Sequence, residues 1–344
     1  MKNRESWVDY AKAIGIILVV YGHVARGLYN GGIDFSVAYF ELFDSVVYSF
    51  HMPLFFFLSG LFFYKSFSNK GGIKLIFSKV DTIFYPYVIW SVLQGGVEVL
   101  LSNYTNGDVS LVEVSSLLWS PRAQFWFLYA LFSIFILSSV VYSLVSKRFT
   151  IPIFICSVIL YLYPSVLPQG FIFGFISSNF VFFVLGVVFT MHLKVEHFSS
   201  WSALLGLALL FVVGQWFFHS YLSYKYTDKG VESLLLACVS IAFVVSMSLL
   251  FSRANYKFFA YIGSSSMAIY LMHILAGSGS RVILSKVFGI DSVVIHLAVG
   301  CLVGVMAPLI ALFLIDKLKV KYLLSAPVSS VAINSYNKLL QRTR

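Results

Sequence analysis

The stretch Asp9-Tyr-Ala-Lys12-Ala-Ile-Gly-Ile-Ile-Leu-Val-Val-Tyr-Gly-His23 decides how the chain is read, because it carries charge into a run otherwise apolar enough to cross a membrane. At 100° per residue, Lys12 and His23 fall within about 20° of each other around a helix, and Asp9 lies about 40° from His23. The three share one stripe. A rise of 1.5 Å per residue puts Lys12 and His23 about 16 Å apart along the axis. The spacing predicts a helix with a cation near one membrane face and an imidazole deep in the bilayer.

Composition points the same way. The 344 residues are 59% hydrophobic, 18% aromatic and only 11% charged, against about 25% charged residues in soluble domains. The chain reads as an all-α polytopic membrane protein. Its net charge of +10 then reflects placement of Lys and Arg around the spans, and no nucleic-acid partner is inferred. Cys156, Cys238 and Cys301 lie singly in apolar runs, and no Cys/His spacing matches a zinc site, so neither a disulfide framework nor a metal is expected. Lys2 and Arg4 resemble a signal-peptide start, but no small-x-small cleavage pattern follows, so the first span is read as retained.

Hydropathy gives about ten segments long enough to span, near 8–27, 48–65, 80–101, 124–145, 150–167, 171–191, 200–219, 231–251, 258–280 and 293–316. Residues 36–47, with Glu41 and Asp44, suit an interfacial helix leading into the second. Arg26, Arg122, Lys225, Lys229, Arg281 and Lys286 fall on one side, Lys12 lies inside a span, and the remaining basic residues fall on the N-terminal side. That asymmetry makes both termini cytoplasmic. With no internal repeat, one membrane domain over 1–324 is expected. Residues 325–344 read as a short basic tail, solvated or resting on anionic lipid headgroups.

An ionisable residue at membrane depth is costly and tends to face a cavity. His23 can be a histidine satisfied by a neighbouring carbonyl, or a base taking the proton from a hydroxyl. Lys12 can meet an anionic cosubstrate, or snorkel to the headgroups with Asp9 as partner. His51 and Ser59 fall in Phe50-His-Met-Pro-Leu-Phe-Phe-Phe-Leu-Ser59-Gly60, where His51 either lines an acceptor path or sits in the interface. Arg122 can hold an acidic acceptor, and Trp126 near it can be an interfacial belt residue. Tyr270 and His273 are helical neighbours.

Taken together, Lys12 to His23 with ten residues between, the 50–60 run, Trp126-Phe-Leu and Tyr270-Leu-Met-His273 resemble the bacterial acyltransferase-3 family of integral membrane O-acyltransferases, particularly its fucose 4-O-acetylase-like branch. The resemblance implies an acetyl or other short acyl group moved from cytoplasmic acetyl-CoA to a hydroxyl of a cell-surface glycan or its lipid-linked precursor, in a multi-pass protein of the bacterial cytoplasmic (inner) membrane. It makes His23 the catalytic histidine and Lys12 a donor-binding residue. Family members often carry two arginines before the third span, where this chain has Lys79 and then Asp81-Thr82. Lys79 is therefore a second donor-binding candidate, and Asp9, His51, Ser59, Arg122, Trp126, Tyr270 and His273 are acceptor-side or supporting candidates. A proton-coupled transporter and a non-catalytic scaffold are the alternatives.

Overall fold

The structure, a computed structural model, describes residues 6–100 and 110–331. Lys2 and Arg4, residues 101–109 and the tail beyond residue 331 lie outside the described residues. Fifteen α-helices follow in order: α1 Ser6–Asn30, α2 Val37–Tyr48, α3 His51–Leu61, α4 Phe63–Lys70, α5 Gly72–Lys79, α6 Tyr85–Leu100, α7 Leu111–Ser115, α8 Trp126–Leu144, α9 Thr150–Leu162, α10 Phe171–His192, α11 Trp201–Trp216, α12 Val231–Ser252, α13 Lys257–Ser264, α14 Ser266–Val282 and α15 Val293–Lys317. Among the described residues there is no strand, and nine helical runs are long and apolar enough to cross a membrane.

The segment expected at 150–167 is the one that does not reach that length. α9 has 13 residues, about 20 Å of rise against a hydrocarbon core of about 30 Å. Pro164 forces the change: Tyr163 before it leaves the helical region at φ −126°, as residues preceding proline do. The segment expected at 258–280 is interrupted between α13 and α14 at Ser265. The predicted interfacial helix is present as α2, which runs on through α3 and α4 as one apolar stretch, Val37–Lys70.

The chain forms two compact units, one from Met1–Ser59 and Val188–Leu314, the other from Gly60–Val187 and Ile315–Arg344. In the first, α1 is the central element. Fourteen of its 25 residues are buried, more than a single face can supply, so neighbours must close around it. Small residues make that possible, as is usual between membrane helices. A Cβ on Gly263 of α13 would collide with the backbone carbonyl of Asp9. One on Gly300 or Gly304 of α15 would come within 2.7 Å of Val24 or 2.6 Å of Val20. On α1 itself, Gly15 admits Phe55 and Gly22 admits Tyr48.

In the second unit, Gly60 packs so closely on Phe183 that a Cβ there would meet its backbone carbonyl. Phe63, Phe135, Phe183 and Tyr142 fill the space beyond with edge-on and tilted ring contacts. A π-helical turn, Val80–Phe84, joins α5 to α6. The start of the 325–344 segment packs on this turn: the Ser329 N–H and hydroxyl donate to the two carboxylate oxygens of Asp81 at 2.8 and 2.6 Å. Just upstream, the Tyr85 hydroxyl donates to the carbonyl of Tyr322, and the Trp90 indole to that of Leu323.

Candidate active site

His23 is half-buried on α1, and its Nδ1 lies 2.9 Å from the carbonyl oxygen of Val19, one turn earlier. A carbonyl only accepts, so Nδ1 carries the proton and Nε2 is left with a bare lone pair. The two readings of this residue therefore do not exclude each other: the neighbouring carbonyl satisfies one nitrogen and leaves the other as a hydrogen-bond acceptor. The ring of His273 on α14 meets His23 edge-on at 4.9 Å between centroids. His273 is itself buried, 1% exposed, with Nδ1 facing the carbonyls of Tyr270 at 2.8 Å and Ile269 at 3.1 Å. Its Nε2 has no hydrogen-bond partner among the described residues. The Tyr270 ring lies 6.2 Å from it.

Toward the Asn30 end of α1 the first unit builds a second polar group. Arg26 is clamped by Asp44, with Nε 2.7 Å from Oδ1 and Nη2 2.8 Å from Oδ2, and Nη2 also donates to the Tyr226 hydroxyl at 3.0 Å. Its guanidinium lies over the Tyr48 ring, 3.4 Å from the centroid, within reach of a cation–π attraction. Tyr48 meets the His51 ring edge-on at 4.4 Å. His51 is fully buried and its Nδ1 faces the carbonyl of Val47 at 2.7 Å, so it has the same tautomer as His23. The loop after α11 is tied down over this end. The Tyr226 N–H donates to the Ser45 hydroxyl at 2.8 Å, and Lys225 pairs with Glu41 at 2.9 Å.

Asp9 is buried in the first turn of α1, where a carboxylate complements the helix dipole, and Lys12 is half-buried one turn on. Ser59 donates to the carbonyl of Phe55 at 2.8 Å. These residues and the histidines belong to the first unit.

Lys79, Arg122 and Trp126 belong to the second unit. There Lys79 lies 4.2 Å from the centre of the Phe135 ring, and Trp126 stacks on Phe175 at 5.5 Å. Arg122 pairs with Glu98 at 2.8 Å and with Glu113 at 3.3 Å. Its positive charge is thus matched within the protein.

Sequence reasoning left Arg26, Asp44, Tyr48 and Tyr226 outside the candidate set. One signal was present: Asp44 is an acid in an apolar helix, and such a residue calls for a buried partner.

The family model for the acyltransferase domain (Acyl_transf_3) matches residues 5–315. Two curated relatives are nodulation proteins NolL. The one from Mesorhizobium japonicum is 30% identical over 140 residues, covering 39% of this chain and 35% of that protein. The one from Sinorhizobium fredii is 25% identical over 216 residues, covering 58% and 56%. The chain thus spans between about a third and a little over half of these relatives' length. No solved structure matches. A family match that reaches into all nine membrane-length helical runs of the described residues, α1 with its histidine included, makes this chain a multi-pass membrane protein of the acyltransferase-3 domain family.

Proposed function

We propose that the protein is an integral membrane O-acetyltransferase of the bacterial inner membrane, with both termini cytoplasmic. It moves an acetyl or short acyl group from cytoplasmic acetyl-CoA to a hydroxyl of a cell-surface glycan or its lipid-linked precursor. The observation that carries this reading is the fixed tautomer of His23, whose Nε2 lone pair stands beside a second neutral imidazole in the core of one unit.

In the proposed step the acceptor hydroxyl oxygen attacks the thioester carbonyl carbon while His23 Nε2 takes its proton. The tetrahedral centre then expels the CoA thiolate, which takes that proton back from His23, leaving an ester and free CoA. The His273 Nε2 lone pair supports the imidazolium that forms on His23 in between. Lys12 holds an anionic part of CoA on the cytoplasmic side, where the excess of Lys and Arg supports a donor entrance, and Lys79 of the other unit is a separate donor-binding candidate. CoA is too highly charged to cross the hydrocarbon core, so only its thin pantetheine arm and acyl group reach inward along the roughly 16 Å between Lys12 and His23. The residues 1–324 form the acyl-transferring domain in this scheme and 325–344 its cytoplasmic tail.

The test uses purified protein in liposomes with labelled acetyl-CoA and glycan from the cell envelope. His23→Asn lowers transfer by about 100-fold or more, the range for loss of a general base, with an unchanged unfolding midpoint. Undiminished transfer removes His23 from the mechanism. Solute uptake that needs no acyl donor points instead to transport.

A further inference from the structure

We infer that Tyr48 and His51 form an acceptor subsite that reads a second, uncharged hydroxyl of the molecule being acylated. The inference rests on the O-acyltransferase reading and names the class of acceptor: a neutral polyol segment, rather than a lone alcohol or an anionic group.

Two buried polar atoms carry it. The Tyr48 hydroxyl and the His51 Nε2 are both shielded from solvent and have no hydrogen-bond partner among the described residues. Buried polar atoms left in this way are rare, because each forgoes a hydrogen bond that water supplied in the unfolded chain. Their demands are opposite. His51 has its Nδ1 proton committed to the carbonyl of Val47 at 2.7 Å, so Nε2 is an acceptor. The Tyr48 phenol supplies a donor, and the two rings meet edge-on at 4.4 Å. A hydroxyl group is the small partner that answers both, accepting from the phenol while donating to the imidazole. A carboxylate or phosphate would suit the phenol but set negative charge against the imidazole lone pair. An ammonium would suit only the imidazole.

The surrounding charge selects in the same direction. Arg26 is the cation lying over Tyr48, and its guanidinium is already held by both oxygens of Asp44 and by the Tyr226 hydroxyl. The ion pair fixes the Tyr48 ring without offering a spare positive charge to an anionic acceptor. Position also fits. The residue before His23 is Gly22, and a Cβ there would come within 2.9 Å of the Tyr48 ring. The absence of a side chain is what lets the phenol lie against α1 beside the proposed base. One hydroxyl of the acceptor then faces His23 while a neighbouring one binds Tyr48 and His51.

The experiment uses octane-1,2-diol and octan-1-ol as competitors of glycan acetylation in the same liposomes. For each competitor, the concentration that halves transfer is measured in the wild type, Tyr48→Phe and His51→Asn. The ratio of the two concentrations does not depend on how much folded protein is present. Its change between proteins also cancels the different partitioning of the two alcohols into lipid. The preference for the diol is expected to fall by about tenfold in each variant, the scale of one lost hydrogen bond. An identical ratio in all three proteins overturns the subsite, and assigns a bound water alone to the two atoms. Glycan acetylation without competitor reports separately on the underlying reading: if the wild type transfers no acetyl group, it is the O-acyltransferase reading that fails.

Discussion

Replacing Asp44 by Asn isolates what holds Arg26 over the Tyr48 ring. In the wild type the carboxylate accepts two charge-assisted hydrogen bonds, at 2.7 and 2.8 Å, and the two side chains are 32% and 11% exposed. Asparagine keeps the shape but loses the charge, and it turns one acceptor into an amide donor facing a guanidinium donor. Breaking a buried pair from one side costs about 3–5 kcal/mol because the remaining charge is stranded. Water reaching the exposed third of Arg26 lowers this to about 2–3 kcal/mol. Arg26→Met and Asp44→Leu should each cost a similar amount by stranding the partner's charge. The double variant Arg26→Met/Asp44→Leu strands nothing, and should lie within about 1 kcal/mol of the wild type. The cycle therefore predicts a coupling of at least about 2 kcal/mol. The assay is equilibrium unfolding in mixed micelles followed by tryptophan fluorescence. A cost below about 0.5 kcal/mol for Asp44→Asn, or additive single costs in the double variant, would refute the view that this pair is a buried, mutually dependent unit.

Two further outcomes follow from the close approaches around the two units. Gly263→Val drives a side chain into the backbone carbonyl of Asp9, where no rotamer relieves the clash. A loss of about 3 kcal/mol is expected, at the top of the range for overpacking, read as a lower unfolding midpoint and a smaller monodisperse fraction in size-exclusion chromatography. Ser329→Ala removes the 2.6 Å bond to Asp81, worth about 1.5–3 kcal/mol for a bond to a charged acceptor. Proteolysis within 322–331 should accelerate while the global midpoint stays unchanged. Equal protection of that segment in both proteins would show that Asp81 does not hold it.

What was legible in the sequence was local, and what was not depends on which helix packs where. Membrane-length apolar runs and the Lys12–His23 stripe follow from composition and a 100° step, and both are present in α1. The failure at 150–167 was also local, since Pro164 ends the helix at a length that a hydropathy window cannot see. By contrast, the pairs Arg26–Asp44 and His23–His273 join residues 18 and 250 positions apart. Besides the lone acid at Asp44, their trace in one sequence is the set of small residues, Gly22, Gly263, Gly300 and Gly304, that let helices close around α1. A glycine announces a close approach without naming what approaches.

The tautomers lie between these cases. His23, His51 and His273 each turn Nδ1 toward a carbonyl three or four residues earlier in their own chain, an arrangement any helix offers whatever surrounds it. The same local rule therefore leaves three Nε2 lone pairs as acceptors in one unit. Tertiary packing then separates their uses. His23 is half-buried as a residue, while His51 and His273 are almost completely buried. On the O-acyltransferase reading proposed above, this one common tautomer serves a base at His23 and neutral acceptors at His51 and His273.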